Sequence, residues 1–293
     1  MDKHPVLEVI NGALSANTKM FPTDIPHYCQ HCGRHVPKLE VELFPGVKKT
    51  VQPVCKCESE SHMKELREME QYQERKEAER RFSLAKVGER FKDDVFENFT
   101  KRQGSEQAFN TAKEFAEGFS KQTDTGLYIF GPPGNGKTKL AGSIVNALSK
   151  KGHFVIYEKA TKLLQRIRDT FDQKTRISQT QIMKDIRICD VLVLDDICVD
   201  KSTEWVEQTL YEIIDTRYED KKPVVFTSNV PASKLVQSLP QGATETMVQN
   251  RERVQDRIYE MCTFVKNSAV SYRKELADKR MKENGNNGNT FAG

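Results

Sequence analysis

The run Gly131-Pro132-Pro133-Gly134-Asn135-Gly136-Lys137-Thr138 has the spacing G-x-x-x-x-G-K-[ST]. Glycines in such a run let backbone N–H groups curl around a β-phosphate, and a helix that starts there adds a favourable dipole. Lys137 can reach the β and γ oxygens, and the Thr138 hydroxyl can ligate Mg2+. Four fixed positions match by chance in a chain of this size about once in a hundred. The strand–loop–helix setting leaves even less room for an ordinary glycine turn. The chemistry implied is binding of ATP with magnesium. A second element should supply the metal's carboxylate. Asp190-Val-Leu-Val-Leu-Asp195-Asp196 is an apolar strand ending in two aspartates, as a buried parallel strand at a Walker B site would be. Asp195 would hold Mg2+ through water and Asp196 would polarise the attacking water. The alternative is a strand that ends in a solvated acidic turn.

A different chemistry sits nearer the N-terminus. Of the seven cysteines, four are paired, Cys29 with Cys32 and Cys55 with Cys57. Each pair offers two thiolates from one turn, which suits tetrahedral Zn2+. Cys-x-Cys is less usual than Cys-x-x-Cys, so His27, His31, His35 and His62 stand as substitute ligands and free thiols as the bland reading. Between the pairs, Leu39-Glu40-Val41-Glu42-Leu43 alternates, Pro45-Gly46 signals a turn, and Val47 to Val54 runs back as a hairpin. Such a module has little core of its own, so a metal would supply much of its folding free energy. Cys189, Cys198 and Cys262 are scattered and read as small buried hydrophobes.

The elements that must position the nucleotide residues alternate. Gly126–Phe130 reads as a short buried strand, followed after the glycine loop by a helix with Leu140, Ile144 and Leu148 on one face and Gly152 past its end. Two more strands, His153 to Glu158 and Pro223 to Asn229, are separated by the helical segments KLLQRIRDTF and WVEQTLYEIIDTRY. The pattern predicts an α/β fold, a parallel sheet with helices on both faces. The distance from Lys137 to Asp195 leaves room for an extra strand beside the glycine-loop strand, as in AAA+ ATPases. A kinase of small molecules would more often keep those strands adjacent, and no acceptor pocket or lid is signalled.

Around this core, KELREMEQYQERKEAERR reads as a solvated connecting helix, with Met63, Leu66, Met69 and Tyr72 only a thin stripe for a coiled-coil arm. KENGNNGNTFAG reads as a disordered tail. The expected domains are a zinc-binding β-module over 1–60, a charged helical linker over 61–91, the ATPase domain over 92–277 and the tail over 278–293. On ATKLLQRIRDTF, Leu163, Leu164, Ile167 and Phe171 share one face. Lys159, Lys162 and Arg166 share another, either a track for single-stranded DNA phosphates or a solvated helix surface.

Composition sets the remaining bounds. The 293 residues carry 46 basic and 42 acidic side chains, a charge of +4, too weak a bias to argue nucleic-acid binding by itself. No apolar run approaches the roughly 18 residues of a membrane span. Glu8 interrupts the mildly apolar Val6–Leu14, so no signal peptide is read and a cytoplasmic, disulfide-free chain is expected.

The segments VFENF, GPPGNGKT, VLVLDDI, FTSN, RERVQDRI and SYR occur in one order. That order resembles the bacterial and phage replicative-helicase loaders of the DnaC/DnaI type and the similar IstB ATPases, over about residues 92 to 275. The cysteine module resembles the zinc-bearing, helicase-binding domain of the DnaI-like loaders. The resemblance implies an ATPase that delivers a hexameric replicative DNA helicase to single-stranded DNA and assembles into a ring or spiral. It implies Asn229 as sensor 1, Arg257 as an arginine finger acting on the neighbouring subunit, with Arg253 its rival, and Arg273 as sensor 2. The same segments also fit an IstB-like helper of a transposase, or an adaptor that binds ATP without hydrolysing it. Asp195-Asp196 departs from the usual Asp-Glu, which bears on hydrolysis rate rather than on nucleotide binding.

Overall fold

The computed structural model describes residues 27–83, 93–171, 177–198 and 202–286. The chain divides into two compact units, Met1–Glu74 and Arg75–Gly293.

In the first unit, β1 (Leu39–Phe44) and β2 (Val47–Val51) form an antiparallel hairpin, in register from Leu39 opposite Val51 to Glu42 opposite Lys48 and shifted by a bulge before Phe44 meets Val47. A knuckle precedes it, closed by Cys29 N–H donating to Arg34 O at 2.8 Å and Gly33 N–H to Cys29 O at 2.9 Å. Gly33 takes φ +69°, a turn that a side chain would strain. Among the described residues of this unit the buried apolar ones are Cys29, Val36 and Cys55, and the hairpin leaves Leu43, Phe44 and Val47 exposed.

Helix α1 (Lys56–Ser83) begins before the linker expected over 61–91, and its residues from Arg75 onward belong with the second unit. Ala78 and Phe82 are buried in that unit's core, and Arg81 donates two hydrogen bonds of 2.7 Å to the buried Asp185. The linker expected to stay solvated to residue 91 is therefore part of the ATPase unit in its last described turns; residues 84–92 lie outside the described set.

The second unit is built on five parallel strands, β3 (Gly126–Phe130), β4 (Val155–Lys159), β5 (Val191–Asp195), β6 (Val224–Ser228) and β7 (Cys262–Lys266), in the order β4-β5-β6-β3-β7. The inserted strand beside β3 is β6, which puts the glycine loop and the paired aspartates at the ends of next-but-one strands. Alternation sorts the side chains. Leu127, Ile129, Val191, Val193 and Val225 pack against α2 (Glu106–Gly118) and α3 (Lys137–Lys150). Tyr128, Ile156, Leu192, Leu194 and Phe226 pack on the other face with α4 (Ala160–Phe171), α5 (Gln179–Ile188), α6 (Glu204–Glu219) and α7 (Glu245–Met261). Helices cover both faces, as the pattern predicts. Strand β7 was not foreseen; it starts directly after α7 and buries only part of its short length.

The last helix, α8 (Tyr272–Asn286), corrects the expected tail, because residues 278–286 are helical. Tyr272 N–H anchors the start of that helix on Gly134 O at 2.9 Å. Residues 287–293 lie outside the described set. Among the described residues, no helix is long and apolar enough to cross a membrane.

Candidate functional site

The glycine loop leaves β3 and runs into α3. Gly131 has φ +150°, and a Cβ there would lie 1.9 Å from Asn267 O. Gly136 has φ +103° at the start of α3, and a Cβ there would press on the Phe99 ring at 3.1 Å. Both positions require glycine, one for close backbone approach and one for a left-handed turn. The buried Asn135 donates Nδ2 to Asn267 O at 2.5 Å, and Asn267 Nδ2 returns to Asn135 O at 3.1 Å. Arg102 adds bonds to Asn135 O at 3.1 Å and Val270 O at 2.7 Å, and an ion pair with Glu275 at 3.2 Å. The loop is thus held between β7 and α8 by groups on the protein itself.

Lys137 is buried, with Nζ donating to Gly131 O at 2.8 Å, Pro132 O at 2.9 Å and Asn135 Oδ1 at 3.3 Å. Burial lowers its pKa to about 8 against the opposing pull of Asp196 and Asp195. These carbonyl bonds are ones that phosphate oxygens could replace.

Asp195 is 1% exposed at the end of β5 and accepts from three hydroxyls. Thr138 Oγ1 lies 3.0 and 3.2 Å from its two oxygens, Thr227 Oγ1 2.6 Å from Oδ1, and Tyr157 Oη 3.0 Å from Oδ2. Thr138 and Asp195 are therefore close enough to share one magnesium ion. Asp196 follows with φ +58°, its N–H donating to Thr227 Oγ1 at 2.9 Å and its Oδ1 accepting from Asn229 Nδ2 at 3.2 Å. The left-handed region favours Asp over Glu among non-glycine residues. That gives a physical reason for Asp-Asp where Asp-Glu is usual.

One pocket is lined by residues 133–139 with Asp94, Lys159, Asp195, Asp196, Thr227, Asn229 and Arg273. The loop, both aspartates, Asn229 and Arg273 thus come together. Arg257 does not line this pocket; its Nε donates to Asp215 at 3.0 Å and its guanidinium sits 4.1 Å over the Tyr218 ring. Arg253 lies 5.5 Å over Tyr211.

The expected basic face of Lys159, Lys162 and Arg166 is not one face. Lys159 ends β4, before α4 begins, so helical spacing does not extend to it, and it lines the nucleotide pocket. Arg166 turns inward, donating to Glu158 at 2.9 Å and lying 4.4 Å over the Phe82 ring. Lys162 alone of the three stays exposed and outside that pocket.

In the first unit the sulfurs of Cys29, Cys32, Cys55 and Cys57 lie within 4.8 Å of one another, with closest separations of 3.4 to 3.6 Å. Four sulfurs at zinc bond length sit about 3.8 Å apart in a tetrahedron, so this donor set fits zinc. The Arg34 backbone and neighbouring sulfurs bring the Cys32 thiol down to about 7, while hydrogen bonding to Cys32, with burial, pushes Cys57 up. No histidine is part of the group among the described residues.

Sequence reasoning missed Tyr157, Thr227 and Asp94. Thr227 stood inside the FTSN segment; Tyr157 stood in the expected strand His153 to Glu158 with no motif to single it out.

A family model described as IstB-like ATP binding protein matches residues 55–280. The replicative helicase loader DnaC of Escherichia coli K12 is 26% identical over 153 residues, 52% of this chain and 62% of the loader. A putative insertion sequence ATP-binding protein of Sinorhizobium fredii is 26% identical over 159 residues, 54% of this chain and 50% of that protein. The chain thus spans less than two thirds of either relative. The crystal structure of the DnaC helicase loader superposes with TM-score 0.50 at 24% identity, covering 62% of this chain and all of that one, a likeness of AAA+ fold.

Proposed function

Since the chain belongs to the family of IstB-like ATP binding proteins, we propose that it is an ATPase that delivers a replicative DNA helicase to single-stranded DNA. The observation that carries the ATPase reading is the pairing of Thr138 with Asp195 beside that of Asn229 with Asp196 under one glycine loop. Bound magnesium ATP would supply the electrophilic phosphorus and a divalent charge. Lys137 and the loop N–H groups bind the phosphates, and Thr138 with Asp195 would hold the metal. Asp196 takes hydrogen bonding from water at the mouth of the pocket, and Asn229 fixes the carboxylate that does so. Arg273 adds positive charge from the start of α8. Arg257 is assigned to a neighbouring subunit's pocket, which would make hydrolysis depend on assembly into a ring or spiral.

The DnaC relatives and the four-cysteine unit support helicase loading, with the zinc-bearing unit gripping the helicase. The insertion-sequence relative supports a second reading, the same ATPase acting for a transposase. Co-purification separates them. The loader reading expects association with the host's replicative helicase that is lost on deleting residues 1–74; the deletion stops there because Ala78 and Phe82 belong to the ATPase core. Association that survives the deletion overturns that division of labour, and capture of a transposase instead supports the second reading. In the ATPase itself, Asp196→Asn should retain nucleotide affinity and lose about a hundredfold or more in turnover. Unaltered turnover would leave Asp196 without a part in hydrolysis and favour a nucleotide-gated adaptor.

A further inference from the structure

Strand β4 is not part of the glycine loop, of the aspartate strand or of any motif in the sequence, yet it faces the nucleotide pocket. Its side chains alternate. Ile156 packs into the core under α4 to α7, while Val155 and Tyr157 pack toward the α3 side, where the glycine loop begins its helix. The strand pairs in parallel with β5, Tyr157 opposite Val193 and Lys159 opposite Asp195. From that position the Tyr157 hydroxyl reaches forward to Asp195 Oδ2 at 3.0 Å.

We propose that Tyr157 is a positioning residue for the magnesium-binding carboxylate, one that fixes Asp195 from the side opposite Thr227. The inference rests on the nucleotide reading of the pocket. Asp195 is 1% exposed, so its orientation is set chiefly by the protein donors around it. Thr227 holds Oδ1 at 2.6 Å and is itself fixed by the Asp196 N–H. On Oδ2 the donors are Tyr157 at 3.0 Å and Thr138 at 3.2 Å, and Thr138 is also the residue that would ligate the metal. Tyr157 is therefore the donor on that side with no second task at the metal. Outer hydrogen bonds of this kind orient metal ligands, and their loss weakens metal binding about 10- to 100-fold.

The test is titration of a fluorescent ADP into full-length protein, in EDTA and across a magnesium series. Tyr157→Phe keeps the ring and removes the hydroxyl. The expected result is EDTA affinity within about twofold of wild type and a magnesium requirement raised about tenfold, since only the outer hydrogen bond to the metal's ligand is lost. Thr227→Val should show the same split. Turnover at saturating magnesium should recover toward wild type in Tyr157→Phe, a pattern that a packing defect does not produce. An unchanged magnesium requirement overturns the inference, and so does an equal loss of affinity with and without the metal. Wild-type protein without magnesium-dependent affinity would instead overturn the nucleotide reading itself.

Discussion

Lys137 donates to carbonyls of its own loop and is buried enough for its pKa to fall to about 8. Phosphate oxygens would replace the carbonyls with negative charge and restore the protonated form. Above about pH 8 the free protein is partly deprotonated at Lys137 while the complex is not, so nucleotide binding takes up a proton. By linkage the affinity falls as pH rises through that value, at most about tenfold per pH unit. Calorimetric titration at pH 9 in buffers of different ionisation enthalpy measures that proton, and its absence would contradict the assignment. The same depression has a stability consequence. Between about 8 and the unfolded value near 10.4 the unfolded chain binds more protons, so this lysine costs stability below the window and stability rises with pH through it. The loop residues and the aspartates were legible as a group because their chemistry fixes residue types at fixed spacing. Tyr157, Thr227 and Lys159 were not, because they reach Asp195 or the pocket through strand register, which the spacing along the chain does not carry.

At the scale of elements, the alternation of strands and helices was readable because β3, β5 and β6 are short, largely apolar runs buried on both faces, whereas the half-exposed β7 gave no such signal. The end of α1 was not readable. Its sequence is dense in charge, and the burial rests on two residues, Ala78 and Phe82, with Arg75 paired to Asp190 and Arg81 to Asp185. Asp185 is fully buried and takes both guanidinium bonds of Arg81, with Gln181 as its other donor. Removing the arginine leaves a buried carboxylate without its counter-charge, which costs about 3 kcal/mol. Arg81→Ala should therefore lower the urea midpoint of the second unit substantially. Trp205 is the chain's one tryptophan and packs against Arg168 and Phe171, so its fluorescence reports that unit. A shift worth under about 0.5 kcal/mol, the size of an exposed pair, would show that α1 does not hold the core as described. The basic-face expectation failed for the same physical reason. Arg166 lies against this segment, over Phe82 and bonded to Glu158, so its charge is used inside the fold.

At the scale of the molecule, the two units stand on different sources of stability. The second carries two extensive apolar clusters on either face of its sheet, enough burial to fold without a ligand. The first has Cys29, Val36 and Cys55 for a core, with Cys57 against it, and its hairpin leaves Leu43, Phe44 and Val47 to solvent. Among the described residues 27–74 too little apolar surface is buried to offset the chain entropy, whereas a four-thiolate zinc site contributes on the order of 10 kcal/mol. A strong chelator, or Cys32→Ser, should thus release one zinc per chain and make residues 27–74 susceptible to protease. The same treatment should abolish helicase association while leaving magnesium-dependent nucleotide affinity within about twofold, because the metal's binding energy is folding energy only for the unit that holds it. Zinc content, proteolysis and nucleotide titration on one preparation decide it. Parallel loss of nucleotide affinity would mean that the ATPase unit draws stability from the metal, and protease resistance that persists without zinc would mean that the small unit folds on its apolar residues alone.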